Sequence, residues 1–168
     1  MSELQSDNLT LKESFGQVDL IYKTALILSS WFGIGLIPKM PGTVATLATI
    51  PISIFMNHLG LFFGGLLLAI FMIAAFWSSG VTERLLGRDD PSEVVIDEVV
   101  GFLLTIYLLP VSWLSITLGF MMFRFFDILK PFPIKRLERV GGGTGIVLDD
   151  LVAGIYAALS INIVFVFL

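Results

Sequence analysis

The sequence predicts an all-α membrane protein, a polytopic helical bundle of about five membrane-associated spans preceded by one interfacial helix. Three observations predict it. Apolar residues make up 56% of the 168 residues and charged residues only 14%, whereas a soluble domain carries about 25% charged residues over a proportionately large surface. Mean hydropathy is +0.93. Long apolar runs alternate with short polar stretches, with no internal repeat, so the chain reads as one domain over 20–168 behind a polar extension at 1–19.

Each element follows from local chemistry. The extension is acidic (Glu3, Asp7, Glu13 and Asp19 against Lys12), unlike the basic start of a cleaved signal peptide. Leu20 to Trp31 is mostly apolar, broken by Lys23, and suits the interfacial helix. The Gly/Pro stretch "GIGLIPKMPGT", Gly33 to Thr43, is a loop. Val44–Leu59 and Leu61–Ser79 read as the first two spans, and "VTERLLGRDDPSE", Val81 to Glu93, as a polar connection. Its Pro91 and Ser92 are suited to opening a helix. Val94–Leu109 and Val111–Phe123 are the third and fourth spans, turning at Pro110. After the polar stretch Arg124–Gly145 comes the last span, whose 18 residues from Leu151 to Leu168 carry no charge. That is close to the roughly 20 residues needed to cross a bilayer.

All ten Lys and Arg lie in the N-terminal region, in Val81–Glu93 or in Arg124–Gly145. An even number of spans separates these regions, so they share one side, which the positive-inside rule puts in the cytoplasm. Asp97, Glu98, Asp127, Asp149 and Asp150 then all fall near the cytoplasmic ends of spans and can converge.

The acidic motifs each have a bland reading. In "EVVIDEVVG" (Glu93 to Gly101), Glu93 and Asp97 are placed i, i+4 on one helical face, and Glu98 about 100° round. Acids in a first turn merely favour the helix dipole, which suffices for Glu93. Asp97 and Glu98, flanked by apolar residues, ask for more. "GIVLDDLVAG" repeats the arrangement; with a helix starting after Gly145, Asp149 and Asp150 sit deeper than a capping residue. Two acidic pairs meeting at a membrane surface repel unless a cation lies between them. Without cysteine or a nearby histidine, oxygen-only ligation suits Mg²⁺.

"FRFFDILKPFPIKR" (Phe123 to Arg136) places Arg124, Asp127 and Lys130 on one face before Pro131 stops the helix. An ion-pair ladder is the plain alternative, and attraction to anionic lipid headgroups accounts for Lys135, Arg136 and Arg139. Arg124 and Lys130 are expected to contact phosphate, which arginine clamps bidentately. The Gly-rich stretches "FGIGLIP" and "GGGTG" (Gly141 to Gly145) precede helices and offer backbone N–H groups to an anion. Gly35 and Gly143 are the contacts expected there, together with Thr43 at the end of the first loop.

Absences narrow the chemistry. Cysteine nucleophiles are excluded by composition, and the one histidine, His58, falls in the predicted outer turn. Neither an Asp-x-Asp-x-Thr stretch nor the long Asp/Gly pattern of CDP-alcohol phosphotransferases is present. Metal-assisted attack by water is the remaining route. The competing class is an ion-coupled transporter with the acids as its ion site, but such a path predicts acids spread through the membrane depth. Nucleic acid is not an expected partner.

The blocks "GIGLIPKMPGTVATL", "DPSEVVIDEVVG", "FRFFDILKPFPI" and "GGTGIVLDDLVAG" occur in this order and resemble the signature blocks of the phosphatidylglycerophosphatase A family. Ala45 stands where the resemblance leads one to expect glycine. The resemblance implies a Mg²⁺-dependent lipid phosphatase of the bacterial inner membrane, acting on phosphatidylglycerophosphate; the charge distribution puts its active site at the cytoplasmic face. On this reading the converging acids divide the work: Asp97, Glu98, Asp149 and Asp150 are expected to hold one or two Mg²⁺ ions, and Asp97, Asp150 and Asp127 to act in catalysis, Asp127 as a further ligand or water-orienting base. Arg124, Lys130 and the glycine-rich loops would then neutralise the phosphate.

Overall fold

The structure, a computed structural model, describes residues 19–110, 112–137 and 140–167. The extension before Asp19 and Arg139 lie outside them. The described residues form α1 (Leu20–Ser29), a 3₁₀ turn (Ile34–Leu36), α2 (Pro41–His58), α3 (Gly60–Leu86), α4 (Ile96–Tyr107), α5 (Trp113–Leu129), α6 (Ile134–Leu137) and α7 (Gly142–Val166). No strand occurs among them.

The helix class is as expected, but the boundaries differ for local reasons. Pro41 opens α2 at the first helical position, where its missing N–H removes only a donor that would lack a partner anyway. The second expected span does not stop at Ser79. Nothing in "SGVTERLL" breaks a helix, and α3 continues to Leu86, where Gly87 takes the left-handed φ of +62° that ends it. Helix α5 starts on Ser112, whose hydroxyl accepts the Ser115 N–H at 3.0 Å, and it runs on through Arg124 and Asp127, as the spacing of Arg124, Asp127 and Lys130 before Pro131 led one to expect. Lys130, at φ +44°, closes it as a left-handed cap. The short helix α6, inside the expected polar stretch, was not foreseen. Helix α7 begins at Gly142 rather than after Gly145.

Five spans were expected; among the described residues two helices, α3 and α7, are long and apolar enough to cross a membrane. Helix α4 has 12 residues, so it is only about 18 Å long against a hydrocarbon core of roughly 30 Å.

Helix α4 is the axis of the bundle. Nine of its residues are buried, from Ile96 to Ile106, as expected of a helix that is apolar all round. One core cluster packs Phe102 and Ile106 of α4 against Phe123 of α5 and Ala153 and Ala157 of α7. The others join α4 to α2 through Val99, Leu103, Ala45 and Met56, and to α3 and α7 through Val100, Ala75 and Val147. Ala45 is fully buried there.

The long helices alternate in direction, which gives the bundle two distinct ends. At one, Asn57 approaches the Ile106 carbonyl at 3.5 Å and the Tyr107 hydroxyl donates to the Leu61 carbonyl. At the other, the starts of α2, α4 and α7 meet the finishing turns of α3 and α5. His58 lies at the first end, its ring against the Ile54 carbonyl; the acids lie at the second.

Candidate functional site

Two glycines bring the acidic helices together. A Cβ on Gly154 of α7 would overlap the Gly101 carbonyl of α4, and one on Gly101 would lie 2.7 Å from the Asp150 carbonyl oxygen and 2.6 Å from the Phe123 ring. The two backbones therefore touch. Asp97 stands four residues before Gly101, and Asp150 four before Gly154, so each acid lies one turn from the contact on the same face of its helix. Side-by-side helices running the same way must then bring these carboxyls together. Glu98, the next residue on α4, turns towards the first turn of α2, where its carboxylate fills the space a side chain at Gly42 would need.

Asp97, Glu98 and Asp150 each present a carboxylate oxygen within 4.8 Å of the others. Asp97 is 8% exposed and Asp150 3%. Buried oxygens of all three, Asp97 Oδ1, Glu98 Oε2 and Asp150 Oδ2, lack a hydrogen-bond partner. Three crowded carboxylates with orphaned oxygens are strongly unfavourable unless a positive charge compensates them. The donor set is oxygen only, which fits a hard divalent cation such as Mg²⁺.

Asp149 sits beside this group but faces elsewhere. Its Oδ2 accepts from Lys130 Nζ at 2.8 Å and its Oδ1 from the Asp150 N–H at 3.0 Å. The structure thus puts three of the four expected ligands together and gives the fourth to a lysine. Arg124 reaches Asp127 Oδ2 at 2.6 Å and Glu98 Oε1 at 3.5 Å. Both expected phosphate-binding cations therefore lie against the acids, Arg124 on the α4 side and Lys130 on the α7 side.

The glycine-rich positions differ from expectation. Gly35 donates its N–H to the Ser30 carbonyl at 2.9 Å and packs on the Glu93 carbonyl, which leaves no room for a Cβ. That N–H is already engaged within the turn. Gly143 is not in a loop but in the first turn of α7, its Cα against the backbone of Gly80. Thr43 is half-buried in the first turn of α2, next to Gly42. Glu93 precedes α4 rather than sharing its face with Asp97; it pairs with Arg88 at 2.7 Å, because Val95 is held out of helical geometry and its N–H goes to the Ser29 carbonyl.

Sequence reasoning missed Gly42 and the role of Gly101 and Gly154, although the Asp-x₃-Gly spacing common to α4 and α7 was there to be read. It also missed Glu83, a buried acid in the last turns of α3 whose Oε1 accepts the Gly142 N–H at 3.1 Å.

Comparison with known proteins agrees with the motif order. Residues 27–165 match the profile of the family described as phosphatidylglycerophosphatase A. The phosphatidylglycerophosphatase A of Escherichia coli K12 is 36% identical over 79% of this chain and 78% of its own. The Haemophilus influenzae protein of the same name is 38% identical over 80% and 85%. A Bacteroides thetaiotaomicron protein, named provisionally as a phosphatidylinositol-3-phosphatase, is 33% identical over 82% and 91%. No solved structure matches the chain.

Proposed function

The chain belongs to the phosphatidylglycerophosphatase A family, and from that membership we propose that it hydrolyses the terminal phosphomonoester of phosphatidylglycerophosphate. The products are phosphatidylglycerol and inorganic phosphate. The reaction takes place at the cytoplasmic face of a bacterial inner membrane and is assisted by Mg²⁺. The observation that carries the reading is the group of three carboxylates with their unpartnered buried oxygens, beside Arg124.

Asp97, Glu98 and Asp150 would hold the cation, which supplies charge neutralisation for the phosphoryl oxygens and a more acidic water. Phosphomonoester hydrolysis is among the slowest uncatalysed reactions, and its loose transition state responds mainly to positioning and to stabilisation of charge on the phosphoryl oxygens. Arg124 and Lys130 provide that from the other side. Asp127 holds Arg124 at 2.6 Å. An ion-paired carboxylate suits the task of orienting the guanidinium better than that of accepting a proton from water.

Membrane insertion is supported by what the helices leave outside. Only 17% of the apolar window of α3 is buried within the protein, and Leu61, Phe62, Ile73 and Ile163 stand more than half exposed. A soluble core helix would hide such side chains. The spans shorter than a bilayer are then accommodated by local thinning of the bilayer.

The test is phosphate release by purified protein in mixed micelles, with Mg²⁺ or with chelator. Phosphatidylinositol 3-phosphate runs in parallel, because one relative is named for that lipid. Release confined to phosphatidylglycerophosphate and abolished by chelator is expected. Release unaffected by chelator would sink the metal role, and faster release from the inositol lipid would sink the assigned headgroup.

A further inference from the structure

Glu83 is the buried acid that the proposed chemistry leaves unused. It is 9% exposed, and the end of the bundle it shares already carries Asp97, Glu98, Asp127, Asp149 and Asp150. Burying another carboxylate there is unfavourable, so its contact should matter. That contact is the N–H of Gly142 at 3.1 Å, the residue that opens α7 at a left-handed φ of +73°. First-turn N–H groups have no partner inside their own helix, and a carboxylate beside them is favoured by the dipole.

The surroundings show what the bond controls. One turn back along α3, Gly80 receives Gly143; a Cβ on Gly143 would overlap the Gly80 backbone and the Ser79 carbonyl carbon. At this point of contact backbone rests on backbone, and the side-chain packing of α3 on α7 begins further along, at Val147 and Ala75. Gly143, Asp150 and Gly154, spaced by seven and four residues, lie on one stripe of α7. The stripe is anchored to α3 at Gly143 and to α4 at Gly154, with Asp150 between, about 10 Å along the axis from Gly143.

We propose that Glu83 is a positioning residue. Through the Gly142 hydrogen bond it fixes the axial register of α7 against α3, so that Asp150 meets Asp97 and Glu98. It touches neither cation nor lipid. Only the activity arm of the test rests on the lipid phosphatase reading.

Mn²⁺ is the probe, its binding followed by electron paramagnetic resonance on detergent-purified protein, alongside phosphate release. Glu83→Ala is expected to weaken Mn²⁺ binding about tenfold, the scale of losing a supporting group at a metal site, and to lower kcat with KM for the lipid little changed. Glu83→Gln, which keeps an acceptor oxygen, is expected to stay close to the parent protein in both. Folded Glu83→Ala protein with undiminished Mn²⁺ affinity overturns the proposal, as does a Glu83→Gln variant as impaired as the alanine. Should Glu83→Ala fail to fold, Glu83→Asp decides: it withdraws the acceptor by one methylene, and unchanged Mn²⁺ affinity overturns the proposal. Absence of Mn²⁺ binding by the parent protein overturns it too. A parent protein that binds Mn²⁺ yet releases no phosphate counts against the phosphatase reading and leaves Glu83 to the binding arm.

Discussion

Asp149 and Asp150 are neighbours in the chain with different surroundings, and this separates their expected phenotypes. Asp150 has an orphaned buried oxygen aimed into the acidic group, whereas Asp149 is satisfied by Lys130 at 2.8 Å. Asp150→Asn should therefore lower kcat by about 100-fold or more, the upper range for damage to a metal site, with the fold retained, as checked by phosphate release and thermal unfolding. Asp149 and Lys130 form a couple, and removing Lys130 takes the counter-charge from the buried Asp149 carboxylate. Lys130→Met should destabilise by about 1–3 kcal/mol, below the full figure for a buried pair because the lysine is partly exposed. Adding Asp149→Asn should recover part of that stability without restoring activity, and chemical denaturation of the singles and the double checks it. The sequence could place both acids deep in a helix. It could not tell them apart, because the difference is made by Lys130, whose left-handed cap turns its side chain back towards α7.

At the scale of elements, the contact of α4 with α7 depends on having no side chains at Gly101 and Gly154. Gly154→Val should force the helices apart at the carboxylates, with a stability loss of about 1–3 kcal/mol and a larger proportional loss of activity. Phosphate release per folded protein measures the second. Equal losses in both would mean that the glycines serve stability alone. Helix class and the number of apolar runs were legible because composition and hydrophobic runs report burial directly. The ends were less so. α3 ran past Ser79 because a lone glycine, Gly80, does not stop a helix, and α7 began early because its start is capped from another element, by Glu83. Glu93 left the face of Asp97 since a tertiary hydrogen bond, Val95 to Ser29, delays α4. Interactions between distant segments leave no local trace in the chain.

For the whole molecule, the proposed orientation has a direct check, made simple by the absence of cysteine. Ser92→Cys, at the end carrying the acids, should react with a membrane-impermeant thiol reagent only from the cytoplasmic side, and Leu59→Cys, at the other end, only from outside. Labelling of both from one side would overturn the arrangement. The alternation of helix direction was read from the succession of apolar spans and its sidedness from the charges, and the clustering of five acids at one end followed from it. What charge patterning could not supply was which acids face one another, since that depends on the glycine contacts. The alternation also shapes what happens after bond cleavage. Gly42 lets the opening turn of α2 lie against Glu98 in the opening turn of α4, so the positive ends of two peptide-dipole columns share one small volume. Their pull does not distinguish an esterified phosphate from a liberated one. Inorganic phosphate should therefore linger as a competitive inhibitor, and its escape, rather than hydrolysis, should set the pace of turnover, visible as an initial burst of phosphatidylglycerol.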